Sequence, residues 1–431
     1  MHTKTTLGNG LRVITENLPG TKSVTALVLV KAGSRFESKD INGISHFLEH
    51  LFFKGAQKYK SAKEVSEAID SVGGDFNAFT SKEYAGYYVK VASHHKELAL
   101  DVLSDMLIHS KFDQGEIEKE RGVILEELNM YQDTPMVQVS WDFERALFGD
   151  QPIGWDEGGL KDVIKRVSHD DFVAYKESLY TSEDMVVCLA GDIEHSEAEK
   201  LVSAYFPMAQ GKATRTMPAF TPALPTCERV RLQTKKTEQA HMVCGVMGLP
   251  EKHPDHYVLK VLSSVLGGNM SSRMFMAVRE SKGLAYYISC GTEDYLDTGA
   301  FYTRAGVDVN RIELAVTAVL DEYKKICDTG IDEKELLKGK EFLKGKLTLS
   351  LEDSENVAQM HARNELLYGK LKSYEEVAGE LDKVTVGEVK RVATELLGGG
   401  DGTSGKLCLA VIGPYEDKSK FEKLIANGFC I

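Results

Sequence analysis

The sequence predicts an α+β protein made of two homologous α/β-sandwich halves whose sheets are largely antiparallel. Three observations support this fold class: a proline-rich break near the middle, similar segments in the same order on either side of it, and strand patterns that occur in neighbouring groups. Alternating apolar residues at 11–15 and 24–30 are typical of strands, and long helical patterns accompany them. Because strands and helices do not alternate strictly, antiparallel pairing is favoured over a wound parallel sheet.

A break in the pattern divides the chain of 431 residues into nearly equal parts. Residues 209–226, AQGKATRTMPAFTPALPT, contain three of the ten prolines and show neither helical nor strand periodicity. A chain of this length also exceeds one ordinary hydrophobic core. We therefore predict a first half at 1–208, a linker at 209–226 and a second half at 227–431.

Five pairs of segments match between the halves in the same order. The first pair is a strand followed by an amphipathic helix, at 87–107 and again at 300–323. The other matches are 112–128 with 331–347, 146–149 with 366–369, 186–194 with 407–416, and two helix-capping pairs, Ser168 with Asp171 and Thr385 with Glu388. This shared order indicates an internal duplication, and so two similar halves rather than a solenoid.

Composition restricts the class of protein and its surroundings. The formal net charge of −13 argues against nucleic-acid binding. The seven cysteines are odd in number and form no C-x-x-C, which argues against a disulfide framework and a thiolate zinc site. No apolar run approaches the roughly 18 residues of a membrane helix, and no targeting pattern opens the chain. We expect a cytoplasmic protein of bacterial type without a membrane span; a mature mitochondrial matrix form is the alternative.

The most informative segment is NGISHFLEHLFFKG at 42–55, which contains H-x-x-E-H. On a helix, His46, Glu49 and His50 share one face. Two imidazoles one turn apart can both bind Zn²⁺, and the glutamate between them lies where it can act as a base toward water. The alternative is a surface helix with two solvated histidines. The surrounding phenylalanines and leucines indicate a buried helix instead, in which these polar side chains need partners such as a metal.

A catalytic zinc site has three protein ligands and one open position, so a further ligand is needed. The best candidates lie in ERGVILEEL at 120–128. Glu120 and Glu127 are seven residues apart and share a helix face, whereas Glu126 points about 100° away from Glu127. A solvated acidic helix is the alternative interpretation of this segment.

The predicted metal site is not repeated in the second half. Aligning the two halves places different residue types opposite the five candidate metal-site residues. Opposite His46, Glu49, His50, Glu120 and Glu127 are Lys260, Ser263, Ser264, Gly339 and Lys346, in that order. We therefore predict that one half carries the metal chemistry and the other half a different role.

With these residues, the chain resembles the pitrilysin family of metallopeptidases, especially the short members related to the mitochondrial processing peptidase β subunit and their bacterial counterparts. The resemblance covers nearly the whole chain and includes LGNGLRVITENLPG, GSRFES with NGISHFLEHLFFKG, SVGGDFNAFTSKEY, ERGVILEELNMYQDTP and LGGNMSSRMFMAVRESKGLAYY. It implies that Glu127, 77 residues after His50, is the third zinc ligand. It also implies that Glu120 is an auxiliary acidic residue that supports the ligands.

The resemblance further implies substrate-binding residues. Arg279 would orient the peptide, and Tyr286 would donate a hydrogen bond to the scissile carbonyl or its oxyanion. Without the resemblance, these two are an ordinary arginine and tyrosine in a helix-to-strand turn. Asn77 and Ala78 would lie on a strand edge that accepts the substrate as an additional strand. Where most relatives have a threonine, this chain has Ala85, so any role of that hydroxyl is absent here.

Together these features predict a zinc metalloendopeptidase with one Zn²⁺ per chain, in which Glu49 is the catalytic base and the substrates are peptides or unfolded segments in a closed chamber. The alternatives from other classes are a noncatalytic scaffold or core subunit of a larger complex, and a structural zinc protein. Relatives enclose a chamber with four such domains, and this chain supplies two. The resemblance therefore implies a dimer, homodimeric by default, with a heterodimer that includes an inactive relative as the alternative.

Overall fold

The computed structural model describes residues 2–222, 229–398 and 407–427; the end of the predicted linker, Cys227 and Cys430 lie outside these ranges. Within them it contains eleven strands: β1 His2–Thr6, β2 Arg12–Asn17, β3 Ser23–Val30, β4 Asp75–Thr80, β5 Ala85–Ala92, β6 Met185–Gly191, β7 Val230–Thr234, β8 Gln239–Met247, β9 Ala285–Asp294, β10 Gly299–Asp308 and β11 Cys408–Gly413.

The same ranges contain fifteen α-helices and one π-helical segment, Phe275–Glu280. The α-helices are α1 Ile44–Phe52, α2 Ala62–Asp70, α3 Lys96–Ile108, α4 Gln114–Asp133, α5 Pro135–Phe148, α6 Lys161–Ile164, α7 His169–Leu179, α8 His195–Tyr205, α9 His256–Gly267, α10 Ile312–Thr329, α11 Glu333–Ser350, α12 Ser354–Tyr368, α13 Tyr374–Lys383, α14 Val386–Leu397 and α15 Ser419–Asn427.

The strands form two sheets with the same topology. The first has the order β1-β2-β6-β3-β5-β4, and the second has the order β7-β11-β8-β10-β9. All neighbours pair antiparallel except β2 with β6 and β7 with β11, which occupy equivalent places. Apart from the additional β1, each strand of one sheet therefore has a counterpart in the other. The predicted α+β fold with two homologous, largely antiparallel halves is confirmed.

The predicted helix-capping pairs also have the expected geometry. The Ser168 side chain accepts a hydrogen bond from the backbone N–H of Asp171, and the Asp171 carboxylate accepts one from the backbone N–H of Ser168. Thr385 and Glu388 form the same reciprocal pair at the start of α14. Such a box satisfies two backbone N–H groups that would otherwise lack a partner at the start of a helix.

Two compact units make up the chain. They differ from the predicted halves in two segments, each of which belongs to the other unit. The first unit consists of residues 2–129, 155–218 and 348–372, and the second consists of 130–154, 219–347 and the described residues from 373 onward. Helix α12 thus belongs to the first unit although it follows the second sheet's strands in sequence. Helix α5, which precedes those strands, belongs to the second unit.

Apolar packing explains where the two helices lie. In the first unit, one side of α12 packs on alternate strand residues, including Ile14, Leu27 and Val186. In the second unit, α5 packs on β8 and β11 through side chains such as Val139 and Phe143. The sequence does not determine this arrangement, because an apolar helix face fits either of two sheets with the same topology.

The five cysteines within the described ranges are buried and form no disulfide with one another. No helix in the described part of the chain has both the length and the apolar character required to cross a membrane.

Candidate metal centre

A buried carboxylate caps the start of helix α1, which contains H-x-x-E-H. Glu37 accepts hydrogen bonds from the backbone N–H groups of Gly43 and Ser45, at 2.8 and 2.9 Å, and from the Asn42 side chain at 2.9 Å. These bonds satisfy N–H groups that have no acceptor within the helix. Burial raises the pKa of Glu37 to about 7, against the opposing effect of the hydrogen bonds. The start of the helix is therefore fixed by a residue outside the motif.

The motif places its apolar and polar side chains on different sides of α1. Phe47, Leu48, Leu51 and Phe52 are buried, as the sequence predicts for this helix. His46 and His50 stay partly accessible, with side chains 14% and 22% exposed. Their rings are 4.9 Å apart between centroids and nearly perpendicular. The two imidazoles therefore lie on one face, one helical turn apart.

Helix α4 brings a carboxylate against these imidazoles. Oε1 of Glu127 is 3.7 Å from Nε2 of His46, and Oε2 is 3.5 Å from Nε2 of His50. One potential ligand atom from each of the three side chains lies within 4.8 Å of the others. Donors of a tetrahedral zinc site with bonds of ~2.0–2.1 Å lie about 3.3 Å apart, so the three side chains would move closer together around a bound ion.

The register of α4 decides which glutamate faces α1. Ile117, Ile124 and Leu128 are buried and form the apolar side of α4. Glu127 is half-buried at the site, whereas Glu126 is exposed. This observation agrees with the direction predicted from helical geometry.

Glu120 lies behind the pair of imidazoles. Its Oε2 is 3.2 Å from Nδ1 of His50, and its Oε1 is 2.7 Å from Nζ of Lys54. Burial acts to raise the pKa of Glu120, but the hydrogen bonds from His50 and Lys54 outweigh it and lower the pKa. The ionised carboxylate favours the tautomer with a proton on Nδ1 of His50, which leaves the Nε2 lone pair directed at Glu127 and available to a metal.

The environment of His46 and Glu49 also suits metal-assisted chemistry. Burial, with a further contribution from His50, lowers the pKa of His46 to about 4 against the opposing effect of Glu127, so the ring is neutral near pH 7. Burial raises the pKa of the Glu49 carboxyl above its usual range, although a hydrogen bond from Thr80 opposes the shift. A neutral imidazole is the form that binds metal, and a glutamate with a raised pKa is a better proton acceptor.

The residues present therefore fit a zinc ion. The donors are two imidazole nitrogens and a carboxylate, which suits Zn²⁺ with one open position.

Comparison with known proteins identifies the family. Residues 12–154 match the family model described as insulinase (peptidase family M16), and residues 166–343 match the peptidase M16 inactive domain. A Bacillus subtilis protein named "uncharacterized zinc protease YmxG" is 40% identical over 91% of this chain and 94% of its own length. The chain belongs to peptidase family M16. This result confirms the resemblance to the pitrilysin family and its short bacterial members.

Further comparisons agree in sequence and in fold. A Streptomyces coelicolor protein named "uncharacterized zinc protease SCO5738" is 36% identical over 96% of this chain and 90% of its own length. The crystal structure of a protease from Helicobacter pylori has a TM-score of 0.87, with 24% identity over 96% of this chain and 100% of that one. The latter similarity shows that the two proteins share the fold.

The M16 domain at 12–154 contains every residue of the candidate metal centre. It also contains Asn77 and Ala78, which lie on β4 and pair with Tyr88 and Tyr87 of β5. Strand β4 is at one edge of its sheet, so among the described residues no strand pairs with its other side. The geometry suits strand addition by a peptide, and the role of the two residues stays a prediction.

Arg279 and Tyr286 lie in the region that matches the M16 inactive domain. Arg279 is half-buried in the π-helical segment, with its guanidinium 4.7 Å from the ring centroid of Phe275. Tyr286 is 63% exposed on β9, which is one of the two edge strands of the second sheet. Both belong to the second unit and the metal ligands to the first, so their predicted roles toward a substrate stay predictions.

The second unit supports the predicted alignment of the halves. Oγ of Ser264 hydrogen-bonds the carbonyl oxygen of Gly339 at 3.4 Å. These residues are the predicted counterparts of His50 and Glu120, which are also in contact. The duplication has therefore kept the contact between the two helices while the residue types at the metal centre differ.

Sequence reasoning missed two residues that shape the centre, Thr80 and Glu37. Thr80 is the first residue of the T-S-K-E-Y-A stretch, in which Ala85 had been noted for its missing hydroxyl. The Thr80 hydroxyl bonds the Glu49 side chain, and it is 3.4 Å from the carbonyl oxygen of Ser45. Glu37 lies between GSRF and the start of α1, where an acidic residue before a helix is the only signal of a cap.

Proposed function

We propose that this chain is a zinc-dependent endopeptidase that cleaves peptides or unfolded segments of polypeptide. The observation that carries the proposal is the convergence of Nε2 of His46, Nε2 of His50 and the Glu127 carboxylate, with Glu49 on the same face of α1. The relatives named zinc proteases support the choice of metal and reaction. One Zn²⁺ per chain at this site, and cytoplasmic location, are parts of the proposal.

Each residue of the centre has a distinct task. His46, His50 and Glu127 would hold Zn²⁺, which when bound supplies a Lewis acid that polarises the scissile carbonyl and activates water. Glu49 takes a proton from the attacking water and passes it to the leaving amine, because it lies on the same face of α1 as the two histidines, is not among the ligands and has a pKa raised by burial. Glu120 holds the ring of His50 in orientation.

Four further residues are proposed to bind the substrate. Asn77 and Ala78 would pair with an extended peptide at the open edge of β4. Arg279 would orient the peptide, and the exposed hydroxyl of Tyr286 would donate a hydrogen bond to the oxyanion that forms at the scissile carbonyl. The edge position of β4 and the exposure of Tyr286 support these roles.

Zinc content and peptide turnover, measured together, test the proposal. Purified protein should contain zinc and cut a mixed peptide library at internal bonds, and a chelator should abolish the cleavage until zinc is restored. Zinc without turnover would favour a structural zinc protein. The absence of both zinc and turnover would favour a noncatalytic scaffold. Cleavage that is confined to terminal residues would contradict the endopeptidase assignment.

Replacement of Glu120 by glutamine should lower turnover more than zinc content. The glutamine carbonyl can still accept a hydrogen bond from His50. The negative charge that favours a proton on Nδ1 of His50 is lost, however. A change of this kind beside a metal ligand typically costs about 10–100-fold in activity or metal affinity. The measurement is kcat with zinc content at saturating zinc. Glu118→Gln, an exposed site on the same helix, is the matched control and should leave both unchanged.

The proposed enzyme is a homodimer, with the heterodimer as the alternative. The chain provides two units, of which one carries the metal centre and the other carries Arg279 and Tyr286. A chamber built from four such units needs two chains. Light scattering on the active fraction should give the mass of two chains; an active monomer would contradict this assembly. Rapid cleavage of a folded protein at a buried bond would contradict the closed chamber.

A further inference from the structure

A second cluster of metal-binding side chains lies in the first unit, on elements other than α1 and α4. His2 of β1, Glu16 of β2 and His361 of α12 each offer one ligand atom, and these atoms all lie within 4.8 Å of one another. Nε2 of His361 is 3.4 Å from Oε2 of Glu16. The centroids of the His2 and His361 rings are 5.0 Å apart.

The cluster is held by regular secondary structure. His2 and Glu16 are directly opposite each other in the antiparallel pair of β1 and β2, so their side chains lie on the same face of the sheet. Ile14, two residues before Glu16, packs against α12 on that face. One turn after His361, Glu365 accepts a hydrogen bond from Lys4 at 2.9 Å. The backbone positions of all three side chains are therefore set before any ligand binds.

A histidine with a purely structural role nearby provides a comparison. On the other face of the same two strands, His195 has both ring nitrogens hydrogen-bonded, to the hydroxyl groups of Thr5 at 2.8 Å and Thr15 at 2.9 Å. His361 differs, because its side chain is only 4% exposed and its Nδ1 has no hydrogen-bond partner among the described residues. Hydrogen bonds therefore do not fix the ring of His361 at both nitrogens, as they do for His195.

The donor set indicates which kind of ion fits. Two imidazoles and one carboxylate suit late first-row divalent metals such as Zn²⁺, rather than Ca²⁺ or Mg²⁺, which prefer oxygen ligands. Donors in tetrahedral zinc sites lie about 3.3 Å apart, close to the separation of His361 and Glu16. Burial lowers the pKa of His361 to about 4, with His2 adding to the effect and Glu16 opposing it, so the ring is neutral near pH 7.

We propose that His2, Glu16 and His361 form a second zinc site, which fastens β1 and β2 to α12 within the first unit. The site joins His361 to two residues that precede it by more than 340 positions in sequence. Metal binding at such a site adds its free energy to the folded state, because the donors are not assembled in the unfolded chain. The site adds to the one at α1 and α4 and does not depend on peptidase activity.

Zinc titration in a background without the α1 site isolates the proposed site. The protein, with any tag placed after residue 431, is stripped of metal and titrated with zinc by calorimetry. The wild type should bind two equivalents and His50→Gln one. Zinc should raise the midpoint of thermal unfolding of His50→Gln. Adding His2→Gln should remove the remaining equivalent and this stabilisation, whereas adding His195→Gln should remove neither.

The outcomes separate this proposal from the proposed function. His2 is half-buried on an edge strand, so His2→Gln should keep the fold, and Glu16→Gln in the same background is a second variant that should also remove the remaining equivalent. If the wild type binds one equivalent, which His50→Gln abolishes and His2→Gln leaves intact, the second site is overturned and the proposed function stands. If the single equivalent survives His50→Gln and is lost with His2→Gln, the ligand set at α1 is overturned instead.

Discussion

Glu49→Gln is expected to abolish peptide hydrolysis while zinc stays bound. Glutamine has the same shape as glutamate and can keep the hydrogen bond with Thr80, but it cannot take a proton from water. Loss of a general base typically costs about 10²–10⁴-fold in rate. The ligand atoms of His46, His50 and Glu127 are untouched, so zinc affinity should change little.

Single-turnover hydrolysis of a cleaved peptide, together with zinc content, measures both parts of this expectation. Thermal unfolding should show no loss of stability, because the substitution removes a partly buried charge whose ionised form is disfavoured in the folded protein. Turnover at the wild-type rate would show that another group is the base. Loss of zinc along with activity would show that Glu49 is a ligand.

Glu127→Gln is expected to weaken zinc binding far more than Glu126→Gln. The two glutamates are neighbours on α4, but only Glu127 lies within 3.5–3.7 Å of the Nε2 atoms of the two histidines. Removing an anionic ligand should lower the zinc affinity by more than the roughly 10–100-fold that is typical of changes behind the ligands. Glu126 is exposed, so its replacement should leave zinc affinity unchanged.

Competition with a zinc-binding dye gives the affinities of the two variants under the same conditions. The pair is closely matched, since both variants lose one negative charge from adjacent positions of one helix. Equal zinc affinity in the two would contradict the assignment of Glu127 as a ligand. A loss confined to Glu126→Gln would mean that the register of α4 differs from the one described.

The parts of this molecule that were predictable from sequence depend on local geometry. Spacing on a helix is enough to bring His46, Glu49 and His50 onto one face, and to separate Glu127 from Glu126. The matching order of segments predicted two sheets with the same topology, because each segment forms the same element in both units.

The remaining parts depend on contacts between elements that are distant in sequence. Nothing local to Thr80 shows that its hydroxyl reaches the Glu49 side chain on α1. The same holds for His2 and His361, which meet only because α12 packs on the first sheet. The placement of α12 in the first unit, rather than beside the strands that precede it, is the step that sequence periodicity could not supply.

X-ray diffraction at the zinc absorption edge, from crystals grown with zinc, tests most directly the claim that His46, His50 and Glu127 hold the catalytic metal. We expect an anomalous peak about 2.0–2.2 Å from Nε2 of both histidines and from a carboxylate oxygen of Glu127, with Glu49 beside the metal and not bound to it. A map without a peak there at saturating zinc, or a peak that has Glu126 or Glu49 among its ligands, would contradict this assignment of the ligands.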